Sequence, residues 1–79
     1  MHYAYILRSV NHPEMRYIGS TSDLKSRLAA HNAGKNPSTA KGRPWKIELY
    51  IAFESLAKAR AFEKYLKSGS GHAFVKRHF

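Results

Sequence analysis

Three polar side chains stand where helical periodicity calls for apolar ones. Leu24, Arg27, Leu28 and His31 recur at the spacing of one buried stripe, so a cation and an imidazole lie among leucines. Leu56, Ala59, Glu63 and Leu66 form a second stripe, which Glu63 interrupts. A carboxylate facing a core costs free energy unless a cation, a metal ion or a hydrogen-bond donor compensates it. Two structural alternatives stand beside a catalytic one. Glu63 pairs with Arg27 and ties the helices together, or each polar residue lies at the edge of its stripe, in water.

The other acids narrow the chemistry. Of the five Asp and Glu, Glu14 falls in a turn, Asp23 at a helix start, Glu48 on a strand and Glu54 ahead of a cap. Only Glu63 has a suggestive position. Two-metal hydrolysis draws on several converging carboxylates. A hydrolase made from this chain therefore works with one metal ion, one protein carboxylate and a base that is not a carboxylate. His2, His12, His31, His72 and His78 form no HExxH pattern, and there is no Cys for a thiolate zinc site. P-loop, GxGxxG and GxSxG signatures are absent as well.

Charge points to the partner. Fourteen Lys and Arg against five acids give a formal charge of +9 and a pI near 10.2. Self-repulsion on that scale destabilises a compact chain, and a polyanion relieves it. Nucleic acid is the commonest one, and the basic residues are spread along the chain, unlike a polybasic membrane anchor. With no base-reading helix in the pattern, phosphate contacts should dominate, and affinity should fall steeply with salt. The longest apolar run, Tyr3 to Leu7, is far too short for a bilayer span. The expectation is a soluble, cytoplasmic protein with no membrane partner.

These residues need elements to hold them. Tyr3–Ser9 reads as a strand, Asn11–Glu14 as a turn and Met15–Gly19 as a second strand, making a hairpin. Paired residues of like parity put Tyr5 and Tyr17 on one face. Ser20 to Asp23 offers N-caps for a helix that runs to His31 or Asn32 and stops at Gly34. Lys35–Arg43 is a polar loop. Trp45, Ile47, Leu49, Ile51 and Phe53 then alternate with Lys46, Glu48, Tyr50 and Ala52 in a third strand. Ser55 caps a second helix reaching about Lys67, Ser68–Gly71 breaks it, and residues 72–79 read as a last short helix. The result is a single α+β domain over residues 1–79, a three-stranded, mostly antiparallel sheet flanked by helices.

Tyr3-Ala4-Tyr5 and Tyr17-Ile18-Gly19 carry a resemblance to the GIY-YIG nuclease superfamily, in particular its small single-domain bacterial members. Tyr5 matches the tyrosine of GIY, although Tyr3 and Ala4 depart from its Gly and Ile, and Tyr17-Ile18-Gly19 matches YIG letter for letter. Thr21-Ser22-Asp23-Leu24, Arg27-Leu28 and His31-Asn32 resemble the segment bearing the family's catalytic arginine and a nearby histidine. Arg43-Pro44-Trp45 resembles the entry to the third strand, and Phe62-Glu63-Lys64 with Leu66-Lys67 resembles the helix of the metal-binding glutamate. Some members carry an asparagine after that helix, where this chain has Ser68-Gly69-Ser70-Gly71.

The resemblance implies a divalent-metal-dependent endonuclease that hydrolyses DNA phosphodiester bonds by a one-metal mechanism. Glu63 would hold one Mg²⁺ or Mn²⁺, and Arg27 would neutralise charge on the phosphoryl oxygens. Tyr5, helped by Tyr17 or His31, would position and deprotonate the attacking water. Two other readings remain beside it: a nucleic-acid-binding module of the same fold that cleaves little alone, and a nuclease acting on RNA. Lys41 and Arg43 are candidate nucleic-acid contacts; the loop around Arg43 and Trp45 could stack on unpaired bases, although a tryptophan at such a place is more often simply core. Lys67, Ser68 and Ser70 belong to a Gly-rich turn that either aims amides at a phosphate or simply ends the helix. A module of this size leaves room for a partner protein that supplies targeting. Oligomeric state stays open.

Overall fold

The computed structural model describes residues 1–69. Ser70, Gly71 and the short helix expected over 72–79 lie outside the described residues. The order is β1 (His2–Ser9), β2 (Arg16–Thr21), α1 (Leu24–Asn32), a 3-10 turn at Ala40–Gly42, β3 (Trp45–Phe53) and α2 (Leu56–Leu66). The three strands form one antiparallel sheet in the order β2-β1-β3.

β1 is the central strand, and Ala4, Tyr5, Ile6 and Leu7 are all buried. A strand buried on consecutive residues needs cover on both faces. One face carries Tyr5, Leu7 and Trp45 with Leu24 and Leu28 of α1 packed on them. The other carries Ala4, Ile6, Ile18 and Leu49 with Phe62 and Leu66 of α2. The sheet is therefore the middle layer between the two helices.

β3 departs from the simple alternation in its sequence. Leu7 pairs with Ile47, whereas the next residue back, Ile6, pairs with Leu49, so β3 gains one residue in a bulge. Trp45 and Ile47 consequently pack on the α1 side, and Leu49, Ile51 and Phe53 on the α2 side. An unbroken apolar alternation would put all five on one face; the extra residue divides them between two.

Local signals set the helix ends. The Asp23 carboxylate accepts from the Ser26 amide at 3.0 Å, and the Ser55 hydroxyl from the Lys58 amide at 3.0 Å. α1 closes with bonds from the Gly34 amide to the His31 carbonyl and from the Lys35 amide to the Ala30 carbonyl. Gly34 takes a positive φ of 76°, as this C-terminal motif requires. β2 runs two residues past the expected Gly19, because Ser20 and Thr21 continue the ladder opposite Ala4 and Tyr3. Parity then turns Ser20 toward α2.

Candidate active site

Tyr5 and Tyr17 share the α1 face of the sheet, with ring centroids 6.3 Å apart. Tyr5 pairs with Gly19, and a Cβ on Gly19 would sit 2.7 Å from the phenol oxygen and 3.1 Å from the Tyr17 ring. The YIG glycine thus gives the two tyrosines room to converge. His31 comes down from α1 onto both, its ring centroid 4.8 Å from that of Tyr17. Its Nε2 lies 3.4 Å from the Tyr5 hydroxyl and its Nδ1 2.8 Å from the Thr39 hydroxyl. Tyr5, His31 and Thr39 are at most 2% exposed, so their polar atoms must find partners in the protein.

Burial dominates the electrostatics here. It pushes the Tyr5 phenol up to about 12, with the Tyr17 and Glu63 charges adding to the rise and Arg27 opposing it. Tyr5 is accordingly protonated near neutral pH. Burial also lowers His31 below the usual imidazole value, and the Arg27 charge lowers it further, so the ring is neutral at pH 7.

Arg27 does not belong to the buried stripe. It is exposed, whereas Leu24 and Leu28 are half-buried and His31 is buried. Among the described residues it forms no ion pair with Glu63, so the pairing that would tie the helices together is not made. The α2 stripe is likewise rotated from the expected one. Ala59 and Leu66 are buried and Phe62 packs on the core, while Leu56 is exposed. Glu63 flanks this stripe, half-buried, at the rim.

Both Glu63 oxygens are engaged. Ser20 donates to Oε1 at 2.7 Å, and Lys67 reaches Oε2 at 2.8 Å. Burial works to raise the Glu63 pKa, but the hydrogen bonds from Lys67 and Ser20 and the charges of Lys67 and Arg60 outweigh it and hold the carboxyl low. An ionised carboxylate beside a serine hydroxyl suits a hard cation. Lys67, exposed and on a flexible stem, already places a positive charge there that a dication can replace. Among the described residues no cluster of three His, Cys, Asp or Glu exists, so a cation at Glu63 would keep mostly water ligands.

The other sequence candidates fall elsewhere. Lys41 and Arg43 are exposed on the segment between α1 and β3; Arg43 donates to the Ala40 carbonyl at 2.8 Å and covers Gly34. Trp45 is not available for stacking on bases. It is buried, and its indole N–H donates to the Thr39 carbonyl at 2.8 Å. Ser68 donates to the Tyr65 carbonyl at the end of α2. Ser70 lies outside the described residues.

Two site residues escape a reading of the sequence. Ser20 looks like a helix cap until β2 is extended, after which strand parity alone would have turned it toward Glu63. Thr39 carries no local signal, because its contact with His31 depends on how the loop folds back.

Among the described residues no helix is long and apolar enough to cross a membrane. Residues 1–76 match the GIY-YIG catalytic domain family. The chain is similar to the structure-specific endonuclease subunit SLX1 of Candida dubliniensis, 40% identical over 81 residues, covering 94% of this chain and 27% of that protein. It is also similar to a UPF0213 protein of Clostridium perfringens, 37% identical over 68 residues, covering 85% of this chain and 71% of the relative. A UPF0213 protein of Streptococcus pyogenes serotype M3 is 39% identical over 66 residues, covering 82% and 70%. The chain thus spans 27% of the length of the first of these relatives.

Proposed function

The chain belongs to the GIY-YIG family of nuclease catalytic domains, and from that membership we propose that it hydrolyses DNA phosphodiester bonds with one divalent cation held at Glu63. The observation that carries this reading is a buried Tyr5–His31 pair with an ionised, rim-placed Glu63 near enough for its charge to act on the Tyr5 phenol. Arg27 is exposed, yet near enough for its charge to act on Tyr5 and His31.

In this mechanism the scissile phosphate docks on the Arg27 guanidinium, which balances charge on its non-bridging oxygens. A water is held against the Tyr5 oxygen. As it forms its bond to phosphorus, its proton passes to that oxygen while the phenol proton passes to Nε2 of His31. Tyr5 thereby stays a phenol, as its buried setting favours, and the neutral imidazole becomes an imidazolium. The bond to the 3′ oxygen breaks, and that oxygen takes a proton from solvent, leaving 5′-phosphate and 3′-hydroxyl ends. A bound Mg²⁺ or Mn²⁺, coordinated by Glu63 and water, would supply the positive charge that stabilises the departing oxygen. Exposed Lys41, Arg43 and Lys64 extend the positive surface for DNA. The Candida dubliniensis relative is named as a subunit; by analogy a partner protein supplies targeting here.

Glu63→Gln tests the assignment. The variant keeps the side-chain size and the Ser20 contact but loses the charge a dication needs. Mg²⁺-dependent cleavage should fall by about 100-fold or more, with the melting profile kept and DNA affinity held or raised. Cleavage at the parent rate would sink the metal-ligand role.

A further inference from the structure

We propose that Thr39 is a positioning residue that fixes His31 as the Nδ1–H tautomer, leaving the Nε2 lone pair to face the Tyr5 hydroxyl. Its consequence for cleavage rests on the nuclease reading above; the tautomer itself does not.

Hydrogen-bond polarity carries the assignment. The Thr39 hydroxyl has one proton and two neighbours, Nδ1 of His31 at 2.8 Å and the Asn36 carbonyl at 3.3 Å. A carbonyl only accepts and has two lone pairs, so the Asn36 oxygen, which already takes the Thr39 amide, has room for the hydroxyl proton, and the hydroxyl oxygen is then free to accept from Nδ1–H. A neutral ring protonated at Nδ1 is bare at Nε2. There the Tyr5 hydroxyl, 3.4 Å away and 2% exposed, donates its proton. The reversed polarity would point Nε2–H at the phenol oxygen. It would also leave the phenol proton without an acceptor among the described residues, a costly arrangement in a buried site. The direction is therefore Tyr5 to His31 to Thr39 to Asn36.

Thr39 can act this way because its segment is clamped. Its amide donates to the Asn36 carbonyl at 3.1 Å, and its own carbonyl accepts from the Gly42 amide at 3.1 Å and the Trp45 indole at 2.8 Å. Asn32, next to His31, accepts from the Trp45 amide at 2.6 Å and donates to the Trp45 carbonyl at 3.1 Å. Ser9 of β1 donates to the Gly42 carbonyl at 2.7 Å. The groups facing the His31 ring are Tyr5 from β1, Tyr17 from β2, Arg27 from its own helix and Thr39 from the loop. Among the described residues Thr39 is the one that reaches Nδ1.

The experiment is long-range ¹H–¹⁵N NMR of the histidine rings in the whole chain near pH 7.5, with His31 assigned through a His31→Gln variant. The parent should show His31 protonated at Nδ1 and bare at Nε2; a parent ring protonated at Nε2 overturns the proposal. Thr39→Val removes the hydroxyl at nearly constant volume and should move the ring toward Nε2–H, while Thr39→Ser should retain Nδ1–H. An unchanged tautomer in Thr39→Val also overturns it. In the cleavage assay Thr39→Val should lower kcat by about tenfold or more with KM little changed, since a wrong tautomer removes the proton acceptor, and Thr39→Ser should restore it. Equal kcat in all three proteins overturns the positioning role. Parent protein that never cleaves refutes the nuclease reading instead, and the spectra decide the tautomer regardless. Should Thr39→Val fail to fold, Thr39→Ala takes its place in both measurements with the same expected and overturning results.

Discussion

On the α1 side of the sheet, polar groups are buried and bonded to one another; on the α2 side, the packing is apolar and the one acid sits at the rim. Tyr5, His31 and Thr39 are almost wholly buried and pass hydrogen bonds along a line. Glu63 remains half-exposed, held by a serine and an exposed lysine. Under the proposed function, the contrast matches what each half of a hydrolytic site needs. A proton path needs fixed donors and acceptors in a dry setting, where geometry decides protonation. A cation site built on one carboxylate needs solvent, because water completes the coordination.

The largest expected effect separates the two faces by substitution. Tyr5→Phe keeps the ring and its packing, removes the hydroxyl, and should slow cleavage about 100-fold or more while shifting stability by about 1 kcal/mol. Leu66→Ala, on the α2 side, should do the reverse. It opens a cavity in the core and should cost about 2–5 kcal/mol in chemical denaturation, with the folded fraction cleaving at the parent rate. If Tyr5→Phe proved the more destabilising of the two, the division between faces would be wrong.

A smaller effect compares two glycines. A methyl on Gly19 would strike the Tyr5 hydroxyl at 2.7 Å, whereas one on Gly69 would meet nothing within 4 Å. Gly19→Ala should lower stability by about 1–3 kcal/mol and cleavage with it. Gly69→Ala should change stability by less than about 0.5 kcal/mol. Equal melting temperatures for the two variants would show that the tyrosines can yield.

The smallest effect is in pH. His31 is lowered from 6.5, so the unfolded chain binds its proton more readily than the folded one. Its contribution to stability is full above about pH 6.5 and is lost as pH falls toward the folded value. Glu63 is lowered from 4.5, so its contribution is full above that value and is lost only below it, as pH falls through the folded pKa. Thermal melts should show the His31 loss first on acidification, and His31→Gln should remove that step alone. A parent curve flat from pH 7.5 to 5 would contradict the buried, neutral imidazole.

How much of this was legible beforehand depended on range. Turn residues, caps and strand alternation are local, and they gave the element order, the shared face of Tyr5 and Tyr17, and the Asp23 and Ser55 caps. Helix phase was legible only to within a residue, enough to raise Arg27 and Glu63 as anomalies but not to show that both lie outside the core. What joins Thr39 to His31, or Lys67 rather than Arg27 to Glu63, is tertiary. That Trp45 is core was open to sequence reading, but the side of the sheet it packs on was not, since the bulge in β3 leaves the alternation of residue types untouched.

That bulge also governs where the chain can change length. Removing one residue around Glu48 would restore a regular ladder and turn Trp45 and Ile47 over to the α2 side. Both Asn32 bonds and the indole contact to Thr39 would go with them. The turn at Asn11–Glu14 is exposed throughout and carries no such burden. Insertions and deletions should therefore gather at the tip of the hairpin and be excluded from the middle of β3.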